Sequence, residues 1–161
     1  MQAVTQIVKL EGGLWPHPTI QKLFEQGITV CAHLGLTPQA VNKLGGYRVQ
    51  GKSPEQAASL LQEAIELEAA GASMILLECV PSSLGKAITQ AVAVPVIGIG
   101  AGADTDAQVL VIYDMLGITP GKPARFVKNF LKQEGDILSA LEAYVSEVKA
   151  GLFPAPEHCF S

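Results

Sequence analysis

An acidic side chain, Glu78, ends the apolar run Ser73–Leu77, which is bounded by Gly71 and Pro81. Such a run predicts a buried strand of a parallel sheet, and functional groups collect just beyond the carboxyl ends of such strands. A charge at this place is costly unless it is paired or used, which makes Glu78 a candidate functional residue. A salt-bridged or solvated rim carboxylate is the ordinary alternative for an isolated case.

Three more ionisable side chains lie at or next to predicted strand ends. Lys9 and Glu11 close the first strand, and because side chains alternate along a strand they point to the same face. His33 follows the second strand. A cation beside an anion suits a site that holds both a substrate carboxylate and a metal. Taken singly, each charge is more often a rim residue, and His33 is more often a hydrogen-bonded core histidine.

A glycine-rich loop, Gly98–Gly102, follows the fourth predicted strand. It loosely matches a dinucleotide-binding fingerprint, but no acidic residue ends a second strand about 20 positions later, as that fingerprint requires. Close approach of the backbone to a small substrate is the favoured interpretation, since glycine lacks a Cβ. Asp114, beyond the fifth strand, is predicted to be an ordinary turn or capping residue.

The composition is that of a compact globular domain. The chain has 161 residues, of which 48% are hydrophobic and 16% charged, with a formal net charge of −4. Without a run of Lys or Arg, this charge argues against nucleic acid or an anionic membrane as a partner. No apolar stretch approaches the roughly 20 residues of a membrane span, and Met1–Thr5 do not resemble the start of a signal peptide.

The three cysteines, Cys31, Cys79 and Cys159, form no CxxC pair. An odd number without paired spacing favours a reduced, cytoplasmic location. Cys31 and Cys79 are predicted to be small buried hydrophobic residues.

Strands and helices alternate along the chain. Ser53 and Asp136 are predicted helix caps, the first followed by Pro54 and Gln56. The predicted strands are Gln6–Leu10, Ile28–Ala32, Ser73–Glu78, Val94–Gly100 and Val109–Ile112. The predicted helices span about residues 19–26, 54–70, 83–91 and 136–150. The inward face of the last helix is predicted to carry Ile137, Leu141, Tyr144, Val145 and Val148.

This alternation predicts an α/β fold with a parallel sheet and outer helices. Two architectures compete, a doubly wound open sheet and a (β/α)8 barrel, which needs eight strands and about 250 residues. Five strands, counted alone, favour the open sheet.

Several blocks closely resemble the ketopantoate hydroxymethyltransferase family, in order and across nearly the whole chain. The blocks are Ile7–Gly13, Val30–Gln39, Gly45–Gly51, Leu77–Pro81, Pro95–Gly102 and Phe126–Phe130. The resemblance implies a TIM (β/α)8 barrel of the phosphoenolpyruvate/pyruvate-like group. It implies Mg²⁺ as cofactor and hydroxymethyl transfer from 5,10-methylenetetrahydrofolate to 3-methyl-2-oxobutanoate, giving 2-dehydropantoate for pantothenate synthesis. It also implies a homo-oligomer, typically a decamer.

The resemblance further assigns roles to the four residues. Glu78 corresponds to the general base, Lys9 to a substrate-contacting lysine, Glu11 to a metal-site carboxylate and His33 to a histidine near the substrate. The chemistry agrees, because the reaction removes a proton from a carbon next to a keto group. Apolar neighbours would strengthen a carboxylate as a base, and a cation would stabilise the enolate.

The chain departs from the family at its start. The family's first three strands, which carry two metal-binding aspartates and a substrate-binding serine, have no counterpart, and Ala3–Thr5 replace the usual Ala-Gly-Ala. Residues 1–161 are therefore predicted to form a single domain holding strands 4–8 of the barrel, the C-terminal portion. Two alternatives stay open. One is a catalytically weak or inactive assembly module of the same enzyme, and the other is a related Mg²⁺-dependent 2-oxo-acid lyase or aldolase.

Overall fold

A five-stranded parallel sheet organises the computed structural model, which describes residues 5–161. The predictions that concern Met1–Val4 lie outside the described residues. The strands are β1 Ile7–Glu11, β2 Thr29–Gly35, β3 Met74–Glu78, β4 Val96–Ile99 and β5 Ala107–Gln108.

Among the described residues, the first three α-helices connect the strands from β1 to β4 and pack against one side of the sheet, and the later helices follow β5. The helices are α1 His17–Glu25, α2 Pro54–Ala69, α3 Ser82–Ala91, α4 Ile112–Met115, α5 Phe130–Glu134 and α6 Ile137–Lys149. Two short 3₁₀ helices lie at Pro38–Ala40 and Pro156–His158.

The strands pair in the order β1-β2-β3-β4-β5, and every neighbouring pair is parallel. A doubly wound sheet reverses its strand order at a switch point, whereas a barrel adds each strand beside the previous one. The described sheet has no reversal. The α/β class is confirmed, and the strand order favours consecutive strands of a barrel over the open sheet.

The main core lies between the sheet and helices α1–α3. Alternate strand residues supply its sheet side, among them Val30, Ala32, Ile75 and Leu77, all without exposed surface. Leu67 of α2 is equally buried against them. This layer fixes which face of each strand points away from the helices.

A second, smaller core joins α5, α6 and the C-terminal tail. Phe130, Tyr144 and Phe153 pack edge to face with ring centroids 5.4 to 5.8 Å apart. Lys128 lies above the Phe130 ring and forms an ion pair with Glu147 at 2.5 Å. These contacts hold the tail against the last two helices.

Both predicted caps are confirmed. Ser53 Oγ accepts a hydrogen bond from the Gln56 amide at 3.3 Å, and Asp136 Oδ1 accepts one from Ser139 at 3.0 Å. These bonds satisfy backbone amides that a helix start leaves without partners.

Three details of the prediction were wrong near the C-terminus. The fifth strand covers Ala107–Gln108 instead of Val109–Ile112, and Ile112 begins a helical turn. The short helix Phe130–Glu134 was not predicted. On α6, Ile137 and Val145 are 56% and 47% exposed, because the helix contacts its neighbours along a narrower stripe than its apolar face.

No helix in residues 5–161 combines the length and the apolar character needed to cross a membrane.

Candidate functional site

Strand register brings the predicted residues together at one edge of the sheet. Glu11 is level with His33 across β1 and β2, and Gly35 is level with Glu78 across β2 and β3. Partners in a parallel ladder share a face, so Glu11, His33 and Glu78 all point away from the helices. These three residues therefore converge at one edge of the sheet, as predicted.

Lys9, Glu11 and His33 form one cluster. Lys9 Nζ donates to Glu11 Oε1 at 3.4 Å, so the prediction that the two share a face is confirmed. The same ammonium lies 3.2 Å from His33 Nδ1. A lysine ammonium has only donors, so Nδ1 accepts and the imidazole proton of a neutral His33 resides on Nε2.

His33 connects this cluster to Glu78. Its Nε2 lies 3.2 Å from Glu78 Oε2, and the His33 side chain is 1% exposed. The separation suits an ion pair, yet the alignment leaves Nε2 without a hydrogen-bond partner among the described residues. A buried donor without a well-aligned partner is costly, and the Glu78 carboxylate is the acceptor that lies nearest to it.

The cavity lies over this edge of the sheet and has a volume of about 870 Å³. Its charged part carries Lys9, His33 and Glu78, and its apolar part includes Leu76 and Ile99. Volumes of this size are typical of small-molecule sites. The arrangement can hold an anionic ligand at Lys9 beside a carboxylate that accepts a proton.

The apolar surroundings predicted for Glu78 are only partly present. Leu76 shares the cavity face, whereas Leu77 and Val80 point into the main core. The Glu78 side chain keeps 15% of its surface exposed. Glu78 therefore stands between an apolar wall and an opening to the cavity.

Glu11 is held by donors on both of its oxygens. Oε2 accepts from the Gln39 amide at 3.0 Å, and Oε1 faces Lys9 and His33. Residues 5–161 contain no group of three or more His, Cys, Asp or Glu side chains placed to hold a metal ion. Mg²⁺ prefers six oxygen ligands, so these residues do not form a magnesium site by themselves.

Two residues that sequence reasoning passed over shape the edge next to Glu78. Gly35 has φ +84°, and a Cβ there would collide with the Glu78 carbonyl, which accepts a bond from Leu36 at 2.8 Å. Cys79 has φ 49°, the only positive φ of a non-glycine residue in the described part of the chain. That conformation costs roughly 1–2 kcal/mol. No sequence signal marks Cys79, whereas an isolated glycine at a strand end could have indicated Gly35.

The glycine loop makes close contacts within the protein, and its approach to a small substrate stays a prediction. None of Gly98, Gly100 and Gly102 lines the cavity, and a Cβ at these positions would meet Thr105, Phe126 and Ser82 respectively. The missing Cβ atoms thus permit close packing within the protein. Asp114 does line the cavity, but it accepts a bond from Thr119 at 2.6 Å, in keeping with a turn residue.

The cysteine environments agree with buried, unreactive thiols at two positions. Cys31 and Cys79 are buried, and Cys159 is partly exposed. Burial raises the pKa of Cys79 to about 12, with a smaller contribution from the neighbouring Glu78 charge. Burial also raises the pKa of Cys31, against the opposing effect of Lys9.

The comparison with family models and the comparison with curated proteins give the same result. A family model described as ketopantoate hydroxymethyltransferase matches residues 1–156. Two curated relatives, from Shewanella loihica (strain ATCC BAA-1088 / PV-4) and Pseudomonas fluorescens (strain Pf0-1), both carry the name 3-methyl-2-oxobutanoate hydroxymethyltransferase. They are 56% identical over 161 residues and 60% identical over 162 residues.

In both alignments 100% of this chain is covered, against 61% of the relative. The chain therefore spans about three fifths of the length of these relatives. A solved structure, the YdjI aldolase from Escherichia coli K12, aligns with 92% of this chain and 58% of its own. It has 14% identity and a TM-score of 0.39, which is too low to indicate either fold or function.

Proposed function

The chain belongs to the ketopantoate hydroxymethyltransferase family, and we propose that it carries the proton-abstraction site for hydroxymethyl transfer to a 2-oxo acid. The proposed reaction takes the one-carbon unit from 5,10-methylenetetrahydrofolate to 3-methyl-2-oxobutanoate and gives 2-dehydropantoate, in pantothenate biosynthesis. The observation that carries the proposal is the cluster Lys9–His33–Glu78 on the cavity face of three adjacent strands.

The proposed role of Glu78 is that of general base. Its carboxylate faces the cavity next to the apolar Leu76, where a substrate carbon would be shielded from bulk water. Removal of the proton from C3 places negative charge on the keto oxygen of the enolate. Water releases the one-carbon unit of the folate at the formaldehyde level, as both C–N bonds of the methylene group break and tetrahydrofolate leaves. The enolate carbon then adds to the carbonyl carbon of that unit, and its oxygen takes up a proton to give the hydroxymethyl group.

Lys9 and His33 are proposed to orient the 2-oxo acid. The Lys9 ammonium supplies the cation for the substrate carboxylate, and its side chain is 48% exposed. His33 lies between Lys9 and Glu78, 3.2 Å from each, so it would hold both side chains in place beside the substrate.

Glu11 is proposed as one carboxylate of a Mg²⁺ site, directly or through water. When bound, such a cation would stabilise the enolate electrostatically. The described residues do not complete that site, since Glu11 already accepts from Gln39 and Lys9. The proton abstraction proposed for Glu78, Lys9 and His33 therefore uses only side chains of this chain.

The proposed setting is cytoplasmic and homo-oligomeric, with the 2-oxo acid and the folate as small-molecule partners. Exposed apolar side chains on α6 and in the segment that follows it, among them Leu138 and Leu152, at 66% and 64%, support contact with another surface.

Exchange of the C3 proton of 3-methyl-2-oxobutanoate with D₂O tests the proposal directly. We expect the native protein to catalyse it and Glu78→Gln to slow it by at least about a hundredfold, because the amide keeps the shape but not the basicity. In Glu78→Gln the free energy of binding of the 2-oxo acid should change by less than about 1 kcal/mol. Glu142→Gln, an exposed carboxylate on α6, serves as the matched control. Equal exchange rates in Glu78→Gln and native protein would reject Glu78 as the base.

A catalytically weak chain is the second candidate, and the incomplete metal site favours it. The purified 161-residue chain, assayed with Mg²⁺, 2-oxo acid and methylenetetrahydrofolate, should turn over at least about a hundredfold more slowly than a full-length relative. Turnover equal to that of the relative would contradict this expectation.

A further inference from the structure

Three cations outside the Lys9–His33–Glu78 cluster line the same cavity. Arg48 lies in the loop between β2 and α2, and Lys122 and Arg125 lie in the segment between α4 and α5. None of the three forms a salt bridge with a carboxylate within residues 5–161. The proposed chemistry of the 2-oxo acid uses none of them.

Arg125 is fixed in the cavity wall. Its Nε donates to the Glu157 carbonyl at 3.1 Å, and its guanidinium carbon lies 5.9 Å from the centroid of the Phe160 ring. Phe160 is itself anchored, because its carbonyl accepts from the Ser82 amide at 2.9 Å. A guanidinium has five N–H donors, so the remaining ones can bind an anion without further ordering of the side chain.

The charge of the cavity is opposite in sign to that of the whole chain. Four cations line it (Lys9, Arg48, Lys122 and Arg125) against two carboxylates, Glu78 and Asp114, which gives +2 with His33 neutral. The chain has a formal net charge of −4. Such a concentration of positive charge in a concave, partly apolar site attracts anions selectively.

The ligand for these cations must be anionic and must extend beyond a 2-oxo acid. A small 2-oxo acid carries one carboxylate, for which Lys9 is already proposed. A folate carries two carboxylates on its terminal glutamate, and each added γ-linked glutamate contributes one more. Its flat ring system also suits the apolar and aromatic lining near Phe126 and Phe160.

We propose that Arg48, Lys122 and Arg125 form a subsite for the glutamate carboxylates of the folate co-substrate. This inference rests on the proposed function, because it assigns the tail of the co-substrate named there. The subsite distinguishes folates by the number of their glutamates and leaves the 2-oxo acid to Lys9 and His33.

Equilibrium binding of tetrahydrofolate with one and with three glutamates to the native protein tests the assignment. At low ionic strength the triglutamate should bind about tenfold more tightly, as two additional exposed charge pairs would provide. The preference should shrink as salt is raised to about 0.5 M, since salt screens exposed charges. Lys122→Gln combined with Arg125→Gln should reduce the preference to about twofold or less.

Two further variants protect the test against misfolding. Arg125→Lys, which keeps the charge, should retain most of the preference, and Lys149→Gln, a cation on α6 outside the cavity, should retain all of it. Thermal unfolding of each variant reports whether it folds. An undiminished triglutamate preference in the folded double variant, or equal binding of both folates by the native protein, would overturn the subsite. C3 exchange by the native protein tests the proposed function separately, because it requires no folate.

Discussion

The two faces of the sheet differ in what their side chains do. On the helix face, Ile75 and Leu77 of β3 have no exposed surface and join one continuous aliphatic core. On the cavity face of the same strand, Leu76 and Glu78 are only partly buried and line an open volume. Neighbouring residues therefore serve different purposes, the first pair stabilising the fold and the second pair available to a ligand.

The difference follows from the period of two residues in a strand. Burying aliphatic side chains on one face contributes stability, which allows the other face to hold charges in costly positions. Lys9, His33 and Glu78 are kept close together by backbone pairing and not by their mutual attraction. Mutations on the two faces should thus be separable in their effects.

The largest effect on stability is expected on the helix face. Leu77→Ala should lower the free energy of unfolding by about 3 kcal/mol, because it leaves a cavity in a closely packed layer. Leu76→Ala, the adjacent residue on the cavity face, should cost about 1 kcal/mol, since less surface is lost from contact. Urea unfolding of both variants measures the difference. Equal losses would remove the distinction between the faces.

Thiol reactivity offers a second comparison, between buried and accessible positions. At pH 8, iodoacetamide should modify Cys159 at least about a hundredfold faster than Cys79, whose raised pKa of about 12 keeps it protonated. Cys31, with a pKa also raised by burial, should be protected too. In urea all three should react at similar rates. Rapid modification of Cys79 in the folded protein would show that the end of β3 opens readily.

A smaller effect is expected where the tail closes the cavity. The Ala155 amide donates to His158 Nδ1 at 3.2 Å, and burial lowers the pKa of His158. A lowered pKa means that this contact stabilises the protein above about pH 6.5 and is lost as the pH falls further. Hydrogen-exchange protection of residues 153–161 should therefore decrease severalfold between pH 7.5 and pH 5.

His158→Asn should remove that pH dependence, and His17→Asn, on α1, should leave it unchanged. If protection of the tail were the same at both pH values in the native chain, His158 would not control its closure.

Much of the fold could be predicted because the signals were local. The Ser53 cap, the apolar run before Glu78 and the alternation in β1 each depend on a few neighbouring residues. The fifth strand was misplaced because its two residues, Ala107 and Gln108, have no apolar pattern of their own. Of the apolar residues that follow them, Leu110 packs in the second core, whereas Val109, Val111 and Ile112 are exposed.

The site was predicted less completely than the fold. The convergence of Lys9, Glu11, His33 and Glu78 followed from strand ends alone. The contacts between them did not, because the Glu11–Gln39 bond and the left-handed Cys79 depend on loops that tertiary packing positions. The close packing of the glycine loop was not predicted for the same reason, since its neighbours come from distant parts of the chain.

One paired measurement tests the central claim that the cavity face acts and the helix face stabilises. The variants Glu78→Gln and Leu77→Ala are each compared with the native protein for C3 exchange of 3-methyl-2-oxobutanoate and for the free energy of unfolding. We expect Glu78→Gln to lose at least about a hundredfold in exchange with stability within about 1 kcal/mol. We expect Leu77→Ala to lose about 3 kcal/mol of stability while the folded fraction keeps its exchange rate. A Glu78→Gln protein that exchanges as fast as the native one would contradict the account.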